Sequence, residues 1–82
     1  MKTNELKKGD RVLLDCGWFA TIWDNMKGDT RMAEVEGDFT EIGSVYSHDI
    51  VSYIDETGTN LAIEHTPNQL KLKAKVEASY GN

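Results

Sequence analysis

The chain has little of what several classes of protein require. Its 82 residues include one cysteine, one proline and two histidines. The single cysteine, Cys16, excludes an intrachain disulfide, and we expect it to be a buried free thiol in a reducing cytoplasm. No apolar run approaches the roughly 20 residues that cross a bilayer, and no apolar segment follows the N-terminal Met-Lys-Thr-Asn-Glu. We therefore expect neither a membrane span nor a secretory signal, and a cytoplasmic location.

Motifs for catalysis and for cofactor or metal binding are also missing. No glycine-rich phosphate loop or nucleophile elbow occurs, and two histidines are too few for a zinc site unless carboxylates complete it. The segment 24–29 lacks the oxygen spacing of a calcium loop, which indicates a simple Asx-type turn within it. We predict no enzymatic activity, no cofactor and no metal. A small metal-dependent protein centred on His48 and Asp49 is kept as an alternative, whereas His65 has a predicted staple or surface role.

Charge is distributed unevenly along the chain. The net charge is −5, but residues 1–11 and 66–82 each carry +2, whereas residues 12–65 carry −9. An acidic centre repels phosphate backbones and argues against nucleic-acid binding. The basic residues at the two ends would form a patch for phosphates only if both ends lie on one face. These residues are Lys2, Lys7, Lys8, Arg11, Lys71, Lys73 and Lys75.

Turn-forming clusters recur at short spacing and predict a single, mainly β domain over residues 1–82. Between them lie runs rich in β-branched and aromatic residues, from which we expect about five short antiparallel strands. Alternation in the run 31–36 places Ala33 and Val35 on one face and Met32 on the other. The runs are 11–16, 18–23, 31–36, 41–46, 50–54 and 61–63.

The C-terminal segment predicts a helix over residues 66–80. Thr66 is a suitable N-cap, Pro67 takes the first helical position and Gln69 completes a capping box. Leu72, Val76 and Tyr80 then follow one another at helical spacing. A strand is the alternative for residues 70–78, because Lys71, Lys73 and Lys75 also alternate with apolar residues.

The entry segment Leu6 to Val12 reads L-K-x-G-D-x-V, a glycine-containing turn that leads into an apolar strand. In this segment the chain resembles SH3-like barrels, the small fold of SH3 and KOW-type modules, and Gly28 and Gly37 lie where such barrels turn. The resemblance implies a small SH3-like barrel over residues 5–64 followed by the C-terminal helix. It also implies binding of a protein or, as in KOW-type modules, of nucleic acid.

The whole chain resembles small accessory proteins of tailed bacteriophages and prophages. The likeness rests on its size, its acidity, the pair Gly17-Trp18 and the segment 43–50 (Gly-Ser-Val-Tyr-Ser-His-Asp-Ile). It implies a host or virion protein as the partner.

The aromatic residues of the run 18–23 fall on both of its faces. The two faces carry Trp18, Ala20 and Ile22 on one side and Phe19, Thr21 and Trp23 on the other. Because a small barrel buries one face, Phe19 or Trp23 either packs under the helix near Leu72 and Val76 or stays exposed as a recognition anchor. A turn at residues 25–29 would join this run to 31–36 as a hairpin.

Residue types that interfaces favour gather in this hairpin. We therefore predict partner binding by Trp23, Met26, Arg31 and Met32, and no catalytic residues. The chain is interpreted as a non-catalytic protein-binding module. The alternative is a nucleic-acid-binding module in which the basic ends, with Lys7, Lys8, Arg11, Lys71, Lys73 and Lys75, contact phosphates. Homo-oligomers through a strand edge are compatible with each interpretation.

Overall fold

Six antiparallel strands and one C-terminal helix form the structure, a computed structural model that describes residues 1–80, with the side chains of residues 1–79. The predicted mainly β fold with a C-terminal helix is confirmed, with six strands in place of about five. The strands are β1 (Arg11–Leu14), β2 (Phe19–Ile22), β3 (Thr30–Glu36), β4 (Thr40–Tyr46), β5 (Ile50–Ile54) and β6 (Asn60–Ala62), and the helix is α1 (Pro67–Tyr80). Short 3₁₀ turns cover Thr3–Glu5 and Ser47–Asp49.

All six strands belong to one sheet in the order β4-β3-β2-β1-β5-β6. Strands β1 to β4 follow each other as a meander, and β5 then pairs with β1 on the other side. In residues 1–80 the outermost strands, β4 and β6, are not paired with each other. The predicted hairpin from β2 to β3 is present, and β5 and β6 form a second hairpin.

The turns use the residues that the sequence indicated. Gly9 has φ +95°, a conformation that glycine adopts without strain. The Asp10 carboxylate accepts a hydrogen bond from the Lys7 N–H at 2.9 Å. In the β2–β3 turn the Asp24 carboxylate accepts from the Met26 N–H at 3.2 Å, which confirms the Asx turn.

One face of the sheet, the inner face, encloses the apolar core. Its buried residues alternate along the strands, as a sheet with one solvated face requires. The core consists of Leu6, Val12, Leu14, Ala20, Ile22, Ala33, Ile50 and Ile63. Leu14 at the end of β1 and Val45 in β4 line one groove although two strands separate them in the sheet. The sheet is therefore strongly curved around its core.

Helix α1 starts with the predicted capping box. The Thr66 N–H donates to Gln69 Oε1 at 2.9 Å, and the Gln69 N–H donates to Thr66 Oγ1 at 3.2 Å. The helical interpretation of residues 70–78 is confirmed and the strand alternative is wrong, because the cap fixes the first turn. The predicted place of Tyr80 on the same side of the helix as Leu72 and Val76 concerns a side chain outside the described part of the chain.

The helix packs mainly against the 3₁₀ turn Ser47–Asp49. The expectation that α1 covers Phe19 or Trp23 is wrong, because both side chains remain about two-fifths exposed. Leu70 on the helix is itself half exposed. One face of the sheet, the outer face, is consequently left without a covering layer.

A buried polar cluster fixes the start of the helix to the sheet. The Arg31 side chain is fully buried, and its Nη1 donates to the Gly28 and Thr30 carbonyls and to Ser47 Oγ at 2.9, 3.1 and 2.7 Å. Its Nη2 donates to Asn4 Oδ1 at 3.0 Å. Burial lowers the pKa of Arg31, and the charge of nearby Asp24 opposes that shift.

Candidate functional site

The outer face of the sheet carries a group of large apolar side chains. Phe19 and Trp23 come from the β2 segment, Met32 from β3 and Ile42 from β4, and they are 40, 43, 38 and 51% exposed. Strand register places Trp23 beside Met32, since the Trp23 N–H donates to the Met32 carbonyl at 2.8 Å. These four residues are called the outer apolar patch.

Charged side chains between the apolar ones hold the two aromatic rings. The Arg11 guanidinium lies 4.8 Å from the centre of the Phe19 ring and pairs with Glu36 at 2.6 Å. Trp23 Nε1 donates to Glu34 Oε2 at 3.3 Å. Such contacts restrict the exposed rings before any partner binds, which lowers the entropic cost of binding.

The structure separates the four predicted partner-binding residues. Trp23 and Met32 lie together in the outer apolar patch, and Met26 is 52% exposed in the β2–β3 turn. The prediction that Arg31 binds a partner is wrong, because its side chain is fully buried and takes no part in the surface. Its strand position explains this, since residues 31, 33 and 35 share the inner face. The binding role of the other three residues stays a prediction.

The sequence contains a signal for the buried position of Arg31. Once Ala33 and Val35 are assigned to the inner face, period-two alternation places Arg31 there as well. Ile42 was missed for a different reason. It lies in a run with glycine, serine and threonine, where apolar alternation is too weak to mark an outward face.

The basic residues at the chain ends are partly neutralised. Lys7 pairs with Asp10 at 3.5 Å and Lys73 with Glu77 at 4.0 Å. Arg11 is occupied by Glu36, as described above. The remaining predicted phosphate contacts are Lys8, Lys71 and Lys75, which are exposed. Lys8 lies 5.8 Å from the Trp23 ring.

His48 and Asp49 are in a 3₁₀ turn, so the opposite-face argument for a strand does not apply to them. His48 Nε2 lies 3.5 Å from Asp49 Oδ1, and the buried imidazole stacks on Tyr46 with ring centres 4.8 Å apart. Its Nδ1 has no hydrogen-bond partner among the described residues. His65 Nε2 lies 2.8 Å from the Ile50 carbonyl, so this ring connects the helix start to β5.

The prediction of a buried Cys16 thiol is also wrong. The sequence favoured a buried thiol, but Cys16 is exposed in the turn between β1 and β2. The Gly17 N–H donates to the Leu14 carbonyl at 2.9 Å and closes a tight turn. Cys16 lies within this turn and therefore outside the core.

Two further observations concern metals and membranes. Within residues 1–80, no group of three or more His, Cys, Asp or Glu side chains is arranged to hold a metal ion. In the same part of the chain, no helix combines the length and the apolar character needed to span a bilayer. The predicted absence of cofactor and catalysis stays a prediction.

Comparisons of the chain with protein-family models, with curated proteins and with solved structures found no match. The resemblances to SH3-like barrels and to phage accessory proteins therefore stay predictions.

Proposed function

We propose that the chain is a non-catalytic protein-binding module whose outer apolar patch docks on the surface of a folded partner protein. The observation that carries this proposal is the uncovered outer face, with Phe19, Trp23, Met32 and Ile42 each about two-fifths to one-half exposed. Large apolar side chains that are exposed together on one uncovered sheet face, with charged residues among them, are typical of interaction surfaces.

The composition of the patch supports a protein partner over nucleic acid. Aromatic residues, methionine and arginine are enriched at the centres of protein interfaces. A phosphate-binding surface needs several free cations, but Arg11 on this face is already paired with Glu36, which leaves Lys8 beside Trp23. A host or virion protein is the partner class that the phage likeness suggests, and the cytoplasm is the proposed location, where an exposed thiol such as Cys16 stays reduced.

The test compares wild type with a patch variant that carries Trp23→Ser and Ile42→Ser. Both side chains are exposed, so we expect the fold to persist. Proteins retained by immobilised wild type from a bacterial lysate are identified by mass spectrometry. Each candidate is then purified, and its affinity is measured by calorimetry. Removal of two apolar anchors should weaken binding at least tenfold.

Leu70→Ser is the matched control, because Leu70 in α1 is 50% exposed against 51% for Ile42 but lies away from the patch. This control should bind the partner as wild type does. The proposal is rejected if nothing is retained above background, or if the patch variant binds the purified partner as tightly as wild type.

A further inference from the structure

The two outermost strands of the sheet differ in how their edges are protected. The segment that follows β6 is covered by the N-terminus, since the Thr3 N–H donates to the Glu64 carbonyl at 2.9 Å and the Glu64 N–H donates to the Met1 carbonyl at 2.8 Å. Strand β4, at the opposite edge, has no such cover in residues 1–80. It also lacks lysine and proline, the residues that usually block an exposed edge.

The hydrogen-bond pattern shows which backbone groups of β4 face away from the sheet. The Ser47 N–H donates to the Asp29 carbonyl at 2.7 Å, which makes this a bonded pair at the end of the β3–β4 ladder. Bonded and non-bonded pairs alternate in antiparallel ladders. The residues of β4 that bond to β3 are therefore Glu41, Gly43 and Val45. Free N–H and C=O groups point to the edge from Thr40, Ile42, Ser44 and Tyr46.

Two open grooves border this free edge on its inner side. The first, of about 280 Å³, lies between β4 and the turn after β1. Its apolar lining is Leu14, Val45 and Tyr46, and its carboxylates are Asp15 and Asp49. The second, of about 150 Å³, lies at the β3–β4 turn. Its apolar lining is Trp18, Val35 and Phe39, and its carboxylates are Asp38 and Glu41.

Each groove therefore combines an apolar wall with two carboxylates. Neither lining includes a lysine or an arginine, and within residues 1–80 Asp15, Asp38 and Glu41 are in no ion pair. A lysine or arginine side chain matches such a groove, because its methylene stem covers apolar surface while its charged head meets the carboxylates.

The spacing of the grooves fits an extended peptide. Val45 in the first groove and Glu41 in the second are four residues apart on the same face of β4, or roughly 13 Å at about 3.3 Å per residue. Gly43 lies between them, and the space where its side chain would be is open. An added strand would place residues i and i+4 at the two grooves and residue i+2 beside Gly43.

We propose that the free edge of β4 binds an extended basic segment of another protein by strand addition, with two lysine or arginine side chains four residues apart in the two acidic grooves. This inference uses the sheet edge and not the outer apolar patch, so it goes beyond the proposed function. Backbone pairing supplies affinity in such complexes, and the pockets for alternate side chains supply specificity.

A second copy of the chain is a poorer occupant of this edge. Residues 40–46 contain no lysine or arginine. Antiparallel pairing of two β4 strands about Gly43 would place Glu41 of one copy opposite Val45 of the other, next to Asp15 and Asp49. Like charges would then face each other in both grooves.

The test uses the peptide acetyl-Val-Lys-Val-Thr-Val-Lys-Val-amide, with binding to the full chain measured by NMR titration. Its two lysines are four residues apart, and its threonine faces Gly43. One control peptide has the lysines three residues apart, on opposite faces of the strand, and another has glutamate in place of lysine. We expect chemical-shift changes along β4 with the first peptide and binding at least tenfold weaker with both controls.

Backbone pairing is tested by N-methylation of the peptide. In antiparallel pairing the N–H groups of the central valines face β4, whereas those of lysine and threonine face solvent. Methylation of those valines should abolish binding, and methylation of lysine and threonine should leave it within about twofold. The reverse pattern would support strand addition in the parallel direction. Equal effects of the two methylation patterns would overturn the proposal.

Variants of the chain test the acidic grooves and the free backbone edge separately. Asp38→Asn with Glu41→Gln should weaken binding about tenfold, since the lysine in that groove loses both of its carboxylate partners. Glu56→Gln, an exposed acid in the β5–β6 turn, is the matched control and should bind as wild type does. Ser44→Pro blocks the edge without removing a backbone hydrogen bond to β3, since the Ser44 N–H faces outward; it does remove the exposed contact of the Ser44 hydroxyl with Met32 Sδ. If Ser44→Pro does not fold, the methylated peptides provide the same information.

Two further results would also overturn the proposal. One is the absence of peptide binding at millimolar concentration. The other is concentration-dependent dimerisation through β4, seen in sedimentation and lost in the Ser44→Pro variant, without peptide binding. The Trp23→Ser, Ile42→Ser variant keeps the β4 backbone, so its peptide affinity separates failure of this proposal from failure of the outer apolar patch.

Discussion

The side chains of Arg31 and Gln69 donate to the same backbone oxygen, the carbonyl of Gly28, at 2.9 and 3.0 Å. Ser47 Oγ adds a third donor to that oxygen at 2.6 Å. The cluster joins the β2–β3 turn, the 3₁₀ turn Ser47–Asp49 and the start of α1, three segments that are far apart in the sequence. It holds α1 at one end of the sheet and so leaves the outer face uncovered.

Arg31→Met should destabilise the fold by about 3 kcal/mol. The methionine keeps much of the side-chain volume but removes the four hydrogen bonds that the guanidinium donates, and loss of one member of a buried polar cluster is strongly destabilising. Urea unfolding followed by circular dichroism measures the change.

Arg11→Met is the matched control for that prediction. Arg11 pairs with Glu36 on the surface, where both side chains are more than two-fifths exposed. Such a pair contributes at most about 1 kcal/mol. Equal losses of stability in the two variants would contradict the special role of the buried arginine.

Gln69→Ala should loosen the helix start more than it unfolds the sheet. The change removes the contact to the Gly28 carbonyl and half of the capping box, which together contribute about 1–2 kcal/mol. Amide hydrogen exchange should accelerate in the first turn of α1 and change little in β1 and β2. Leu70→Ala, at the next and exposed position, should leave the exchange pattern of the helix start unchanged.

Local features of the fold were predictable because they depend on neighbouring residues. The turn at Gly9 and Asp10, the Asx turn at Asp24 and the cap at Thr66 each follow from a few side chains next to their backbone partners. The surface was less predictable, because it depends on where α1 packs. The position of α1 is set by a buried polar cluster whose side chains come from four segments, and no local pattern in the sequence connects Asn4, Arg31, Ser47 and Gln69.

Gly9→Ala should cost about 1–2 kcal/mol of folding stability. Gly9 has φ +95° with open space around it, so the penalty comes from the backbone conformation and not from a clash. Gly43→Ala is the matched control, since Gly43 is also in open space but has no positive φ. It should change stability by less than about 0.5 kcal/mol. A similar loss for both glycines in thermal unfolding would show that the Gly9 backbone is not the cause.

The turn between β5 and β6 should show a measurable pH dependence at Asp55. The Thr57 hydroxyl and the Thr59 N–H donate to its Oδ1 at 2.7 and 3.0 Å, and these bonds hold the pKa of Asp55 below its usual 3.8. Because the folded pKa is the lower one, the ionised carboxylate stabilises the turn above pH about 3.8. That contribution is lost as the pH falls through the folded pKa.

The stability difference between wild type and Asp55→Ala should therefore be largest above pH about 4 and should shrink on acidification. Carbon-detected NMR titration of the carboxyl measures the pKa directly. Thr57→Val removes the hydroxyl donor that makes the largest contribution, so it should raise the pKa of Asp55 towards the ordinary value. An unchanged midpoint in this variant would show that the hydroxyl bond does not determine the shift.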